Sequence, residues 1–346
     1  MMNPLVKRLC ALILPMALVI FAACGGRQPL VVPATGSYSS IVLVTETGAL
    51  EGPTVAMAEA LQREIDYYTR TELQFRVRVV PAASFEKEVP TRNMVLFGIV
   101  NQGRIGTIIE TFIGDQGIRS VLSGQHGLFW RLDSPVKGQL TVIVTGVSND
   151  DLQRLATQQA GVIRDLIEDG NRQRLREYLL KVPNASVEGQ LKAKYGFTLG
   201  VPGGQNAYSI NRERPELPGV ELVRGRPHRG LAVSWRDWGK NGVSLADSNA
   251  LYQFRADFAY KMYDKDVMRR ELVKFAETQL GPNKAIRMDG YWENSTEPYG
   301  GAFVCYFVFD SVKSRLWLVD CLAFAPGQNR HELLRELVAI AETFRL

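Results

Sequence analysis

The stretch AFVCYFVFDSVKSRLWLVDCLAF, residues 302–324, decides the fold. Two apolar runs rich in aromatic and β-branched residues, 302–309 and 316–324, flank a polar turn at 310–315, which is the pattern of a β-hairpin. By period-two alternation Phe303, Cys305, Phe307 and Phe309 share one face of the first strand. Trp317, Val319, Cys321 and Ala323 share one face of the next. If Phe309 opposes Trp317, then Cys305 opposes Cys321 within disulfide reach, whereas a shift of one residue puts the sulfurs on opposite faces. Two free buried thiols and a cross-strand disulfide are both open at this point. A strand near 286–292 precedes the hairpin. An amphipathic helix closes the chain, with Leu333, Leu334, Leu337, Ile340, Ala341 and Phe344 on one stripe. A meander covered by a helix is an α+β sandwich.

Upstream of the hairpin, Tyr195-Gly196-Phe197-Thr198-Leu199-Gly200-Val201-Pro202 alternates like a strand. Further strands are expected at 220–223 and 230–235, with helices over 247–279. Pro183-Asn184 and Gly189 mark a boundary. Before it, 41–45 and 94–100 read as buried strands, 75–79 as a half-buried strand with Arg76 and Arg78 outward, and 139–145 as another strand. One helix carries Ala58, Leu61, Ile65 and Tyr68 at helical spacing. A second runs from a cap at Asp150 to about 168, followed by a basic helix at 172–180. The whole is expected to be α+β, two α/β-type sandwich halves over 37–183 and 190–346. The second half is an antiparallel sheet packed by helices that include the C-terminal one.

The N-terminal 36 residues carry a different message. Lys7 and Arg8, an apolar core at 9–20 and then Phe21-Ala22-Ala23-Cys24 give the charge, apolar and small-residue order of a secretory signal. The run ending at Cys24 looks like a bacterial lipobox, with Phe21 where Leu is usual. Residues 1–23 are therefore read as a lipoprotein signal peptide, Cys24 as the lipidated (palmitate-bearing) residue and 24–36 as a Gly- and Pro-containing tether. No Asp follows Cys24, so the periplasmic face of the outer membrane is the expected location. The formal charge of +5 falls to +3 when Lys7 and Arg8 are removed, too mild an excess to argue for nucleic acid. Apolar content of 46% and charged content of 22% are those of a globular body.

Motifs that carry chemistry are sparse. His126, His228 and His331 are far apart and none has a metal-ligand partner at the spacing of a known site, so no metal and no cofactor are expected. No Gly-x-Ser-x-Gly elbow is present. Gly98, Gly103 and Gly106 follow a strand and are placed to open a helix like a phosphate cradle, but Arg104-Ile105 stand where a P-loop needs Lys and Ser or Thr, so tight turning explains them better. Asp289 and Glu293, four apart on one strand, lie about 13 Å apart at 3.3 Å per residue, beyond the 5–9.5 Å or so of a glycosidase pair. Glu297 follows beyond the turn. Arg212, Arg214, Arg224, Arg226 and Arg229 crowd one arm with His228; Arg224, Arg226 and Arg229 are candidates for an anion or an acidic partner, against intramolecular ion pairs. Trp235, Trp238, Tyr291, Trp292 and Tyr299 are candidates for an aromatic binding face, against a place in the core.

Several of these residues carry a resemblance. Arg92-Asn93 leading into Met94-Val95-Leu96, the strand at Gln139, Tyr195-Gly196-Phe197, Gly290-Tyr291-Trp292, Gly300-Gly301-Ala302-Phe303, the strand at Leu316 and Leu334-Arg335-Glu336-Leu337 together resemble a domain-of-unknown-function family. Its members are uncharacterised Gram-negative envelope lipoproteins. Ala302 stands where the family has Pro. The second half is also weakly similar to PsbP-like domains, in the Tyr-Gly-Phe strand leading to Val-Pro, the hairpin and the ending Thr343-Phe344-Arg345. Those domains mostly bind partners and do not catalyse. The expected function is a non-catalytic binding, assembly or maintenance factor of the bacterial envelope, held to the membrane by its lipid anchor and engaging an envelope protein, lipid or glycan. The alternatives are a glycan hydrolase and a carrier of a lipid or small apolar ligand.

Overall fold

The computed structural model describes residues 33–66, 70–214, 216–238 and 247–346. The expected signal peptide, Cys24 and Tyr68 lie outside these residues. The chain builds two sheets in succession. Continuous apolar runs give β1 (Ser40–Thr45), β5 (Asn93–Ile99) and β7 (Leu140–Gly146), which with β4 (Arg76–Pro81) form the parallel part of the first sheet. The antiparallel β6 (Leu128–Leu132) closes one edge in the order β4-β1-β5-β7-β6. Such doubly covered strands read as unbroken apolar runs. Helices α1 (Pro53–Leu61), α4 (Asn149–Gln158) and α5 (Ala160–Leu179) cover one face. Helix α3 (Gly103–Leu122) covers the other, after the short α2 (Phe85–Glu88).

The second sheet is antiparallel throughout, in the order β11-β13-β14-β15-β10-β9-β8. Its strands are β8 (Ser209–Arg212), β9 (Gly219–Arg224), β10 (His228–Asp237), β11 (Asp266–Met268), β13 (Asn283–Asn294), β14 (Gly300–Asp310) and β15 (Arg315–Phe324). β12 (Lys274–Leu280) shares the outer edge of β13 with β11. Helix α8 (Arg330–Ala341), together with α6 (Ala185–Gln190), packs on one face and α7 (Ser248–Met262) on the other. The molecule is therefore α+β, two sandwich layers, with the antiparallel sheet packed by the C-terminal helix.

Several elements differ from their sequence reading. The first helix stops at Leu61, and Ile65 sits instead in a small hairpin of β2 (Glu64–Asp66) and β3 (Thr71–Leu73). Ser148, not Asp150, caps α4 by accepting from the Asp151 amide. Residues 197–202 keep their alternation, with Phe197, Leu199 and Val201 buried. They make only the single bridges Thr198–Arg345 and Pro183–Pro202, so they are an extended segment rather than a strand. Of the one or two helices expected over 247–279, one forms and ends at Met262, and 274–280 is the edge strand β12. The start of helix α3 after the glycines was anticipated but its length was not, because its four glycines and many β-branched residues are poor helix formers; packing on the sheet forms it despite them, with a break at Gly114.

The 302–324 hairpin is present, but Val308 opposes Trp317 and Phe309 opposes Leu316. That one-residue shift pairs Cys305 with Asp320 and Cys321 with Val304. Cys305 faces the core under α7 and Cys321 the core under α8, so both are buried free thiols. The cross-strand disulfide is corrected accordingly.

Candidate functional site

Helix α8 is shared between the two sheets, and the site forms around it. Leu333, Leu334, Leu337, Val338 and Ile340 bury its apolar stripe against the second sheet. Its polar side meets the first layer through ions. Arg335 donates from Nε and Nη2 to both oxygens of Glu168 on α5, at 2.7 and 2.8 Å, and from Nη1 to Ser39 Oγ at 2.9 Å. His331 Nε2 lies 3.5 Å from Glu168 Oε2. Burial on its own would raise the Glu168 carboxyl. The Arg335 charge and the hydrogen bonds from His331 and Arg335 outweigh it and hold the group well below the usual carboxylate range. At the helix N-terminus Glu72 Oε2 accepts from the amides of Arg330 and His331 at 2.7 and 3.1 Å, an anion where the helix dipole favours one. Just beyond its C-terminus, Glu342 pairs with Arg172 and Arg176, each at 2.7 Å.

Beside this joint opens a cleft of about 470 Å³ between the sheets. Arg63, Asp66, Asp165, Glu168 and Arg172 form one wall, and Glu271, Lys274, Arg287 and Asp289 the other. The floor is apolar, from Phe303, Val304, Leu334 and Val338. A gap in the sheet edge shapes it: β11 pairs with β13 at 292–294 and β12 pairs at 283–289, leaving 290 and 291 between them. The chain between β11 and β12 loops out there and brings Glu271 and Leu272 to the rim. Gly290 is needed in this gap, because a Cβ would stand 2.7 Å from the Phe303 ring. Asp289 takes a bidentate grip from Arg287 at 2.7 and 2.8 Å.

The residues singled out from sequence are scattered by the fold. Asp289 lines the cleft, while Glu293 turns to Arg269 at 3.1 Å, so the two do not act together. Glu297 N donates to Asn294 Oδ1 in the turn. Arg224 and Arg229 both reach Glu336 of α8, at 3.0 and 3.2 Å, and Tyr208 donates to the same carboxylate. Arg212 and Arg214 pair with Asp264. Arg226 stays at the surface by a small pocket with Pro227, His228 and Phe324. The expected aromatic face does not assemble. Trp235 packs at a tilt against Trp317, ring centroids 5.1 Å apart, over the α8 core, Trp238 and Trp292 belong to the α7 core, and the exposed Tyr299 meets Trp292 edge-on at 5.9 Å. Alternation along the strands sends these rings to opposite faces.

The three histidines are apart, and no group of three His, Cys, Asp or Glu able to hold a metal occurs among the described residues. The glycines after β5 do open a helix. Glu46 fills its N-terminus, accepting from the amides of Arg104 and Ile105 at 3.2 and 2.8 Å. Gly103 permits that approach, since a Cβ would lie 2.4 Å from Glu46 Oε2.

Sequence patterns missed the cleft because its pairs are non-local; Glu168 and Arg335 are 167 positions apart. The resemblance motifs were a signal, since Gly290, Tyr291, Phe303, Leu334 and Arg335 all line it, beside Asp289 and His331, which were singled out for other chemistry.

No curated protein matches the chain. Among solved structures, it is similar to the Ran-binding protein Mog1p of Saccharomyces cerevisiae at 10% identity and a TM-score of 0.30, over 44% of this chain and 92% of that one. It is also similar to LpqN of Mycobacterium tuberculosis, described as involved in cell envelope biogenesis, at 13% identity and a TM-score of 0.28, over 43% of this chain and 81% of that one. Residues 260–343, which supply the second-sheet wall of the cleft and helix α8, match the family model described as Domain of unknown function (DUF4837), the kind of family that the motifs of this stretch resemble.

Proposed function

We propose that the chain is a lipid-anchored envelope protein that binds a polar ligand in the cleft between its sheets and does not transform it. The observation that carries this reading is the cleft itself, open to solvent and walled by both signs of charge over an apolar floor. Clefts between packed layers are the usual place for ligands. Acid–base hydrolysis needs a carboxyl kept protonated. The cleft's Glu168 is held ionised, and the carboxyls that burial raises, Glu221 and Asp266, lie away from the cleft under α7. Charged walls suit a glycan or peptide fragment better than a lipid tail. The pattern of Lys7, Arg8, the apolar core and Cys24 supports the location in the envelope.

Equilibrium dialysis of the full chain against peptidoglycan fragments, followed by mass measurement of the ligand, tests the reading. Saturable binding of an unchanged ligand, weakened by Arg63→Glu with Lys274→Glu, is the expected result. A cleaved product would establish the hydrolase reading instead. The absence of saturable binding, or binding untouched by the two substitutions, would remove the cleft from consideration.

A further inference from the structure

The tether reaches the body at one defined edge. Pro33 bridges Lys137, Thr35 bridges Thr91, and the Ala34 amide donates to the Lys137 carbonyl at 2.8 Å. Thr91 and Lys137 precede β5 and β7, so this is the N-terminal edge of the parallel strands. Helix α5 ends under the same edge, where Arg174 donates to the carbonyls of Arg92 and Gly138 at 2.7 and 2.9 Å. One turn further on, Tyr178 is 51% exposed, and beyond it Val182 is 57% exposed. Strand β6 arrives at this edge too, since Leu132 opposes Leu140, the first residue of β7. Leu132 is 38% and Trp130, on the same strand face, 57% exposed. Four large apolar or amphipathic side chains thus project into solvent around the point where the tether enters, an arrangement that marks an interaction surface.

We infer that this edge rests on the bilayer in which the chain is anchored, with Trp130, Leu132, Tyr178 and Val182 in the headgroup layer. The inference rests on the lipid-anchor reading of Cys24. Eight residues lie between Cys24 and Pro33, and the nine steps of chain that join the two reach at most about 30 Å. The edge is therefore always within reach of the membrane. Trp and Tyr are the residues that favour the interface, where the ring is buried and its polar group stays wet. Lys137 and Lys181 are exposed beside them, but so are Asp133 and Glu177, so apolar contact drives the seating and charge does not. The acyl chains supply the affinity and the edge sets the attitude of the body. Glu168 stands ten residues up α5 from Tyr178, about 15 Å along the axis, so the cleft is held clear of the lipid.

The test uses full-length lipidated protein in vesicles of phosphatidylethanolamine and phosphatidylglycerol. A polarity-sensitive fluorophore is attached to Leu132→Cys, Val182→Cys or, as control at the opposite edge of the sheet, Leu50→Cys. The expected result is flotation of all three, with a blue shift and quenching by nitroxide headgroup lipids at 132 and 182 but not at 50, at both low and high salt. Flotation with equal quenching at all three sites overturns the inference and leaves the anchor standing. Failure to float overturns both. Difference quenching between the unsubstituted chain and Trp130→Phe gives the same answer without a label, should either cysteine variant misfold.

Discussion

Asp266 and Glu168 are both carboxyls removed from water, and their surroundings drive them in opposite directions. Glu168 has the Arg335 guanidinium at 2.7 Å and hydrogen bonds from Arg335 and His331. For Asp266, burial outweighs both the Asn294 amide at 2.9 Å and the more distant charges of Arg255 and Arg212, while Asp320 adds to the rise, so its carboxyl is pushed up to about 6. A folded-state value above the unfolded one means that the native state holds the proton longer. Its stabilising effect is complete below the unfolded value near 4 and is lost as pH rises through about 6. Asp266→Asn keeps an acceptor for Asn294 and removes the charge. Denaturant unfolding followed from pH 4 to 7 should show the parent losing on the order of 1–2 kcal/mol relative to the variant. A parallel pH dependence for the two proteins would show that Asp266 does not titrate in this window.

At the scale of elements, the hairpin shows how a single register decides the chemistry available to a pair of cysteines. Both strands were legible because their apolar runs are long and their turn is polar. The register was not, because period-two alternation fixes which residues share a face and leaves open which residue opposes which. Packing of Trp317 on Phe197 and Phe344, contacts far away in sequence, holds the pairing observed. The sulfurs therefore lie on opposite sides of the sheet, and burial pushes both thiols well above their ordinary value. Alkylation of the denatured protein without reductant should label both Cys305 and Cys321; a mass gain only after reduction would contradict the register. The same distinction explains the other elements. Unbroken apolar runs such as 41–45 and 94–100 announced themselves, whereas β12, half-exposed at a sheet edge, and the glycine-rich α3 carried no pattern of their own.

For the whole molecule, the joint along α8 matters more than any single strand. Arg335 is almost fully buried at its contact with Glu168, so removing the acid leaves a charge without compensation. Breaking a buried pair in this way costs about 3–5 kcal/mol. Glu168→Gln should therefore destabilise the protein by roughly that amount, while Glu168→Leu with Arg335→Met should cost much less than the two single changes added together. Equal, additive losses in a double-mutant cycle read by denaturant unfolding would mean that the pair does not couple the layers. Two sandwich layers could be read from the sequence through the alternation of apolar segments. Their seam could not, since an arginine on an amphipathic helix looks like any solvated arginine until the fold supplies Glu168.

The position of α8 in the chain has a consequence for manufacture. A polypeptide emerges N-terminus first, and domains tend to fold in that order. The first sheet is complete in sequence by Gly146 and its covering helices by Leu179, yet Glu72, Glu168 and Arg172 must wait, still solvated, for residues 330–342. The second sheet waits for the same segment to cover one of its faces. The cleft is thus the last thing to be made. A chain clipped before Arg330 would lack both the seam and the His331, Leu334, Arg335 and Val338 lining of the cleft, so an intact cleft requires that synthesis and folding have run to the end of this helix.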